Sequence, residues 1–94
     1  MQVRWLRRAL QNLDEEAAYY AREDPAAARR IVERIVTSIT RLGNHPASGR
    51  PGRVPGTREL VILGTPYIVP YRIKADAVEI LRVFHSARKW PVKF

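Results

Sequence analysis

Residues 24–43 have the sequence DPAAARRIVERIVTSITRLG, and this stretch carries the clearest structural pattern in the chain. Asp24 is suited to cap a helix and Pro25 to occupy its first position, because an aspartate oxygen can accept free N–H groups and proline has no N–H to leave unpaired. Gly43 is suited to end the helix. The apolar residues recur every three or four positions, which predicts one buried helical stripe: Ala28, Ile31, Val32, Ile35, Ile39 and Leu42.

The segment before Asp24 has the same period and predicts a first helix that continues to about Glu23. Residues 14–16 are acidic and fall on or beside the side opposite the apolar stripe. The link between the two helices is short, so we expect an antiparallel helical hairpin. The predicted stripe of the first helix consists of Leu6, Leu10, Leu13, Ala17 and Tyr20.

After the hairpin the pattern changes to that of β-strands. Residues 57–63, 67–74 and 78–85 are rich in β-branched and aromatic residues and are separated by short turn sequences, which predicts three consecutive antiparallel strands. Residues 2–5 could add a fourth strand. Pro70 lacks a donor for the central strand, so we expect a bulge there or an edge that faces solvent. The prediction is one α+β domain over residues 1–94, of order β-α-α-β-β-β, with the helical hairpin on one face of a small antiparallel sheet.

Composition excludes several classes of protein. The chain has no cysteine, which rules out disulfides and thiolate chemistry and favours the reducing cytoplasm. No apolar stretch approaches the roughly 18 residues of a membrane span, and the N-terminal residues lack the apolar region of a secretory signal. Spacings typical of zinc ligands, of nucleotide-binding loops or of a Ser/His/Asp set are also missing, so the sequence implies no metal and no cofactor.

The net charge of +8 predicts an anionic partner. Residues 41–94 carry ten basic and three acidic side chains, whereas residues 1–40 carry seven and six. Part of the excess lies in the loop at residues 49–60, GRPGRVPGTREL, which holds Arg50, Arg53 and Arg58. Guanidinium groups suit phosphate and carboxylate equally well, so charge does not distinguish a nucleic acid from an acidic protein.

The order and spacing of these segments resemble the RelE/ParE toxins of type II toxin-antitoxin modules. The resemblance covers LDEEAAYYARED, PAAARRIVERIVTSITRL, the loop GRPGRVPGTREL, the strand with Tyr67, Tyr71 and Arg72, and the ending VEILRVFHSARKWP. It implies a β-α-α-β-β-β fold and an acidic antitoxin that wraps the toxin. The target that it implies is either DNA gyrase or mRNA on the ribosome.

The two branches of that family require different chemistry. An mRNA interferase must stabilise a phosphorane and protonate the leaving oxygen, and His85 at the end of the last strand is the candidate general acid for that case only. Candidates for binding phosphate or another part of the target are Arg50, Arg53, Arg58, Arg72, Arg82 and Arg88.

The C-terminal segment favours the ParE branch, whose members trap gyrase on DNA without catalysis. The ribonuclease branch commonly has lysines in the loop and a tyrosine near the C-terminus, whereas this chain has arginines and no tyrosine beyond Tyr71. The ending with His85, Ala87, Arg88 and Trp90 looks more like ParE. Trp90 either anchors the C-terminal segment against the core or docks on the target.

Four further interpretations complete the reading of the sequence. His85 could be structural, and Glu59 could pair with arginines near Arg58 or act as a base. The antitoxin is expected to contribute an acidic amphipathic helix, and a strand added to a sheet edge is a second possible contact. An unrelated function, as a small nucleic-acid-binding module without toxicity, would use Tyr67 and Tyr71 to stack on bases.

Overall fold

The structure is a computed structural model, and it describes residues 1–87, 89–91 and 93–94. Two helices lie in chain order between a first strand and the remaining strands, as predicted. The elements are β1 (Gln2–Trp5), α1 (Arg7–Ala21), α2 (Pro25–Thr40), a 3₁₀ turn (Arg41–Gly43), β2 (Arg50–Pro51), β3 (Arg58–Val61), β4 (Tyr67–Lys74), β5 (Ala77–Ile80) and β6 (Phe84–His85).

The strands form one sheet in the order β1-β5-β4-β3-β2, and β6 pairs with the start of β4. The predicted α+β class and the helical hairpin are confirmed. One detail of the prediction is wrong: β1 pairs with β5 in parallel, so the sheet is mixed and not purely antiparallel. Parallel pairing requires a long crossover connection, and the helical hairpin between β1 and the rest of the sheet provides one.

The predicted irregularity at Pro70 is a bulge on the strand beside it. Tyr71 is paired with Ile80, and Ile68 is paired with Phe84. The two β4 residues between these pairs therefore face the three residues 81–83. The extra residue separates β5 from β6, and the ladder continues around a proline that cannot donate.

The buried stripe of α2 is confirmed, with Ile35, Ile39 and the following Leu42 at the centre of the core. The stripe predicted for α1 is confirmed only in part: Leu13 and Tyr20 pack against the core, but Leu10 is 48% exposed and Glu16 only 6%. The buried residues of α1 are Ala9, Asn12 and Glu16. Two of these are polar, so a count of apolar residues alone placed the helix in the wrong rotation.

The N-terminus of α2 has the predicted cap, in which the Asp24 side chain accepts a hydrogen bond from the Ala27 N–H at 3.0 Å. We expect Asp24→Ala to lower the free energy of unfolding by about 1 kcal/mol, because the N–H of Ala27 loses its acceptor. Denaturant unfolding would measure the loss. The control is Asp14→Ala at an exposed position of α1, and an equal effect of the two changes would contradict the capping role.

Alternation along the strands defines two faces of the sheet. The face with Tyr67, Val69 and Tyr71 belongs to the core beneath the helices, and we call it the helix face. The opposite side, with Pro70 and Arg72, is called the far face. Within the described part of the chain, no helix combines the length and apolar character that crossing a membrane requires.

Candidate functional site

The far face carries a cluster in which one buried carboxylate holds two arginines. Glu59 of β3 is only 2% exposed, whereas the side chains of Arg50 and Arg53 are 52% and 44% exposed. Arg50 donates to Glu59 Oε1 from Nε at 3.2 Å and from Nη2 at 3.0 Å. Arg53 donates to Glu59 from its backbone N–H at 2.8 Å and from its side chain at 3.0 and 3.2 Å. We call this group the Glu59 cluster.

These contacts determine how Glu59 titrates. Burial alone would raise the pKa of Glu59, but hydrogen bonds from Arg53 and Arg50 outweigh it and hold the pKa below its ordinary value. A carboxylate with a lowered pKa is a weak base. Glu59 therefore has the predicted pairing with neighbouring arginines, and its geometry fits the role of an orienting group better than that of a catalytic base.

A second cluster of the same kind lies on the far face, and we call it the Glu79 cluster. Arg72 donates from Nε to Glu79 Oε1 at 2.7 Å, and Arg4 Nη1 lies 4.0 Å from Glu79 Oε2. The hydrogen bond from Arg72 is the main reason that the pKa of Glu79 is lowered. Nothing in the local sequence marks Arg4 as a site residue. Its place beside Glu79 follows from the parallel register of β1 and β5, which the sequence alone did not provide.

The other predicted arginines lie elsewhere. Arg58 pairs with Tyr71 on the helix face and donates to the carbonyl oxygens of Ala47 and Gly49 at 3.3 and 2.8 Å. Arg82 donates from Nε to Asn12 Oδ1 at 3.0 Å. The expectation that the three loop arginines lie together thus holds for Arg50 and Arg53 but not for Arg58. Arg88 lies outside the described residues.

His85 lies on the helix face, where it is paired with Tyr67 across β6 and β4. Its Nδ1 accepts the N–H of Ala87 at 3.2 Å, and its ring contacts the Tyr67 ring edge-on at 5.7 Å. A cavity of about 570 Å³ adjoins it, and the lining residues are Glu15, Glu16, Tyr19, Tyr20, Glu23, Tyr67 and His85. The imidazole of His85, the candidate general acid, therefore faces a cavity lined by carboxylates and not by guanidinium groups.

The tyrosines on β4 have structural contacts. Tyr67 is 1% exposed and donates from its hydroxyl to Glu16 Oε2 at 3.1 Å. Burial, together with the negative charge of Glu16, raises the pKa of Tyr67. Tyr71 is fully buried. The prediction that these two rings stack on bases is wrong, because both point into the core beneath the helices.

Trp90 packs on the far face beside the Glu59 cluster. Its ring lies 4.8 Å from the ring of Phe84, and the guanidinium carbon of Arg53 lies 3.7 Å from the centre of the Trp90 ring. This contact anchors the C-terminal segment to the sheet. A role of Trp90 in docking on a target stays a prediction.

The chain matches one protein family over almost its whole length. The family described as "ParE toxin of type II toxin-antitoxin system, parDE" matches residues 3–90. The protein Y4kP of Sinorhizobium fredii, named as a toxin, is 55% identical over 95% of this chain and 92% of its own length. Toxin RelE2 of Caulobacter vibrioides is 36% identical over 93% of this chain and 97% of its own length.

A solved structure has the same fold. The chromosomal ParDE toxin-antitoxin system from P. aeruginosa superposes with a TM-score of 0.83 and 32% identity, covering 90% of this chain and 95% of the other. The two-helix hairpin and mixed sheet described above are thus the fold of a ParDE component. A module of this kind implies an antitoxin as the partner. The chain therefore belongs to the ParE/RelE family of toxins of type II toxin-antitoxin modules.

Proposed function

We propose that this toxin inhibits bacterial growth by poisoning DNA gyrase and that it does so without cleaving RNA. The proposal places its action in the cytoplasm, where gyrase works on DNA. It rests on the resemblance to the ParE branch and on one observation about the candidate site. That observation is the separation of His85 from the arginine clusters.

An mRNA interferase must place a proton donor and phosphate-binding cations around one phosphodiester. His85 lies on the helix face, whereas Arg50 and Arg72 belong to clusters on the far face. The sheet lies between them. One phosphate cannot contact His85 and these arginines together, which favours a function without phosphoryl chemistry at His85.

The charges near His85 support the same conclusion. The cavity beside it is lined by Glu15, Glu16 and Glu23, and these carboxylates would repel a phosphodiester that approached the imidazole. The hydrogen bond from the Ala87 N–H to His85 Nδ1 supports a structural role for His85 at the end of β6. The contact agrees with the interpretation of His85 as a structural residue.

The names of the similar proteins point in both directions. The matching family and the solved structure are named for the ParDE module, whereas the Caulobacter relative is named RelE2. That name favours a second candidate function, a ribosome-dependent mRNA interferase. The test of the proposal therefore has to distinguish gyrase poisoning from RNA cleavage.

We also propose that the antitoxin covers the groove between α2 and β3. Arg30, Arg34 and Arg41 line this groove together with Val61 and Leu63, which are 42% and 81% exposed. An acidic amphipathic segment would match both the charge and the apolar contacts. Among the described residues, β2 pairs with β3 only at Arg58 and Glu59, so the rest of that edge is open to an added strand.

Replacing His85 by alanine tests the mode of action. We expect His85→Ala to inhibit the growth of bacteria as strongly as the original toxin, because gyrase poisoning requires no proton transfer from this side chain. Growth after induction without antitoxin would be measured together with gyrase-linked double-strand breaks and mRNA cleavage. Both proteins should produce the breaks without mRNA cuts at fixed codon positions.

The control is His85→Gln, whose amide oxygen can accept the Ala87 N–H in place of Nδ1. If alanine abolished toxicity and glutamine retained it, the imidazole would be structural and the proposal would stand. If the original toxin cut mRNA at fixed codon positions and both variants did not, RNA cleavage would be established and the proposal would be overturned. Circular dichroism would confirm that each variant is folded.

A further inference from the structure

We propose that the Glu59 and Glu79 clusters together form a surface that binds the phosphate backbone of double-stranded DNA. This inference rests on the proposed function, in which the toxin acts on gyrase while gyrase holds DNA. It assigns a nucleic-acid contact to Arg4, Arg50, Arg53 and Arg72. It leaves Arg58 out of that contact: Arg58 lines a small cavity together with Arg72, but its guanidinium donates to the carbonyl oxygens of Ala47 and Gly49.

Strand register places the four arginines on one surface. Arg4, Glu79 and Arg72 lie side by side on β1, β5 and β4, and Arg50 lies beside Glu59 on β2 and β3. From β1 to β2 the sheet spans about 19 Å, at ~4.8 Å for each step between strands. Arg53 reaches the same surface from the loop, where it shares Glu59 with Arg50.

In the two clusters, the four arginines are more exposed than the two glutamates, and this arrangement suits an anion that approaches from solvent. The carboxylates lie below the surface, with side chains 2% and 10% exposed, whereas the arginine side chains are 40% to 57% exposed. Guanidinium groups outnumber carboxylates by two to one. Pairing with the two carboxylates therefore neutralises only part of the positive charge, and the surface keeps a net positive charge.

Glu59 also orients its two guanidinium groups, and Glu79 holds Arg72 through Nε. Arg50 and Arg53 bond Glu59 through Nε and Nη2. A guanidinium has five N–H donors in a fixed fork, so Nη1 and the second N–H of Nη2 point away from the carboxylate. That outer edge can donate two parallel hydrogen bonds to a phosphate. Arg50 and Arg53 are held in this geometry before any ligand arrives, which reduces the entropy lost on binding.

The surroundings favour a duplex over other polyanions. Single strands are bound through stacked bases, but the rings of Tyr67 and Tyr71 are buried on the other face, and the Trp90 ring on this face is already packed against Phe84 and the Arg53 guanidinium. An acidic peptide with apolar side chains is matched better by the groove that contains Leu63 and Arg34. Cations that contact only phosphates bind duplex DNA of any sequence.

The test is binding of a fluorescein-labelled 20-base-pair duplex to the full-length toxin, followed by anisotropy at several salt concentrations. The variant is Arg4→Gln/Arg50→Gln, which removes one arginine from each cluster and leaves Arg72 on Glu79 and Arg53 on Glu59. We expect affinity at 0.1 M salt to fall on the order of tenfold. The slope of log K against log salt should fall by about 2, one unit for each lost phosphate contact.

The matched control is Arg22→Gln/Arg29→Gln, which removes the same charge from exposed positions at the helical hairpin. Equal losses in the two double variants would mean that only net charge matters and would overturn the proposal. An unchanged salt slope in the first variant would also overturn it, as would a single strand that binds better than the duplex. Weakened binding of the antitoxin with unchanged binding of DNA would assign the surface to the antitoxin instead.

Failure of the proposed function would be visible in a separate measurement. Gyrase cleavage complexes with linear and supercoiled DNA would be assayed with the same proteins. If the toxin failed to trap gyrase but bound the duplex through Arg4 and Arg50, the gyrase proposal would fall and the DNA surface would stand. If the variant without Arg4 and Arg50 trapped gyrase as well as the original toxin but did not bind the duplex, the gyrase proposal would stand and the DNA surface would fall.

Discussion

Replacing Glu59 by glutamine is expected to lower the free energy of unfolding by about 3 kcal/mol, which corresponds to a fall in Tm of roughly 12–24 °C for a domain of this size. Glu59 is 2% exposed and accepts hydrogen bonds from the side chains of Arg50 and Arg53 and from the Arg53 N–H. Glutamine keeps the volume but loses the charge and replaces one acceptor by a donor. Denaturant and thermal unfolding would measure the change.

The dependence on pH identifies the cause of this loss. Because the folded-state pKa of Glu59 lies below its ordinary value, the carboxylate stabilises the fold fully above about pH 5, and this contribution is lost as pH falls through the folded-state pKa. The difference in stability between the two proteins should therefore narrow as the solution is acidified. Glu59→Gln itself should lack this part of the acid sensitivity.

A control removes the same charge where it has no buried partner. Glu33→Gln, at an exposed position of α2, should change the free energy of unfolding by no more than about 0.5 kcal/mol. If Glu59→Gln were equally mild, the Glu59 cluster would not stabilise the loop. A difference that stayed constant with pH would instead attribute the loss to packing and not to the carboxylate charge.

The elements with a continuous apolar period were predicted well from the sequence. The α2 stripe, the Asp24 cap and the bounds of β1 and β4 agree with the structure. Each depends on neighbours within a few residues, where spacing and capping chemistry act directly. The rotation of α1 could not be predicted in this way. Its buried Asn12 and Glu16 bond Val83 and Tyr67, about 70 and 50 residues away along the chain.

The composition of the candidate site was predictable only in part. The loop sequence indicated that Arg50 and Arg53 act together, and the structure places both on Glu59. It also grouped Arg58 with them, although alternation along β3 turns Arg58 to the opposite face from Glu59. Arg4 was missed because it joins Glu79 only through the parallel pairing of β1. Long-range register determines which charges meet, and the local sequence does not specify it.

The second large effect is expected for Tyr71→Phe, which should lower the free energy of unfolding by about 2 kcal/mol. The buried Tyr71 hydroxyl donates to the carbonyl oxygen of Pro46 at 2.8 Å and accepts the N–H of Gly49 at 2.8 Å. Phenylalanine fits the same space but leaves both backbone groups without this partner. The loop lies close against the ring here, since a Cβ on Gly49 would lie 2.6 Å from the Tyr71 hydroxyl oxygen.

Removal of the Tyr71 hydroxyl should also disturb the proposed DNA surface, because Gly49 directly precedes Arg50 at the start of β2. Without the hydroxyl, the amide of Gly49 should exchange with solvent faster by at least tenfold, and duplex DNA should bind more weakly although no arginine has been removed. Native-state hydrogen exchange and anisotropy would measure the two effects. Tyr19→Phe is the control, since the Tyr19 side chain is exposed on α1, and it should leave both quantities unchanged. Unchanged exchange at Gly49 in Tyr71→Phe would show that Arg58, which also bonds the loop through the Gly49 carbonyl, holds it without the tyrosine.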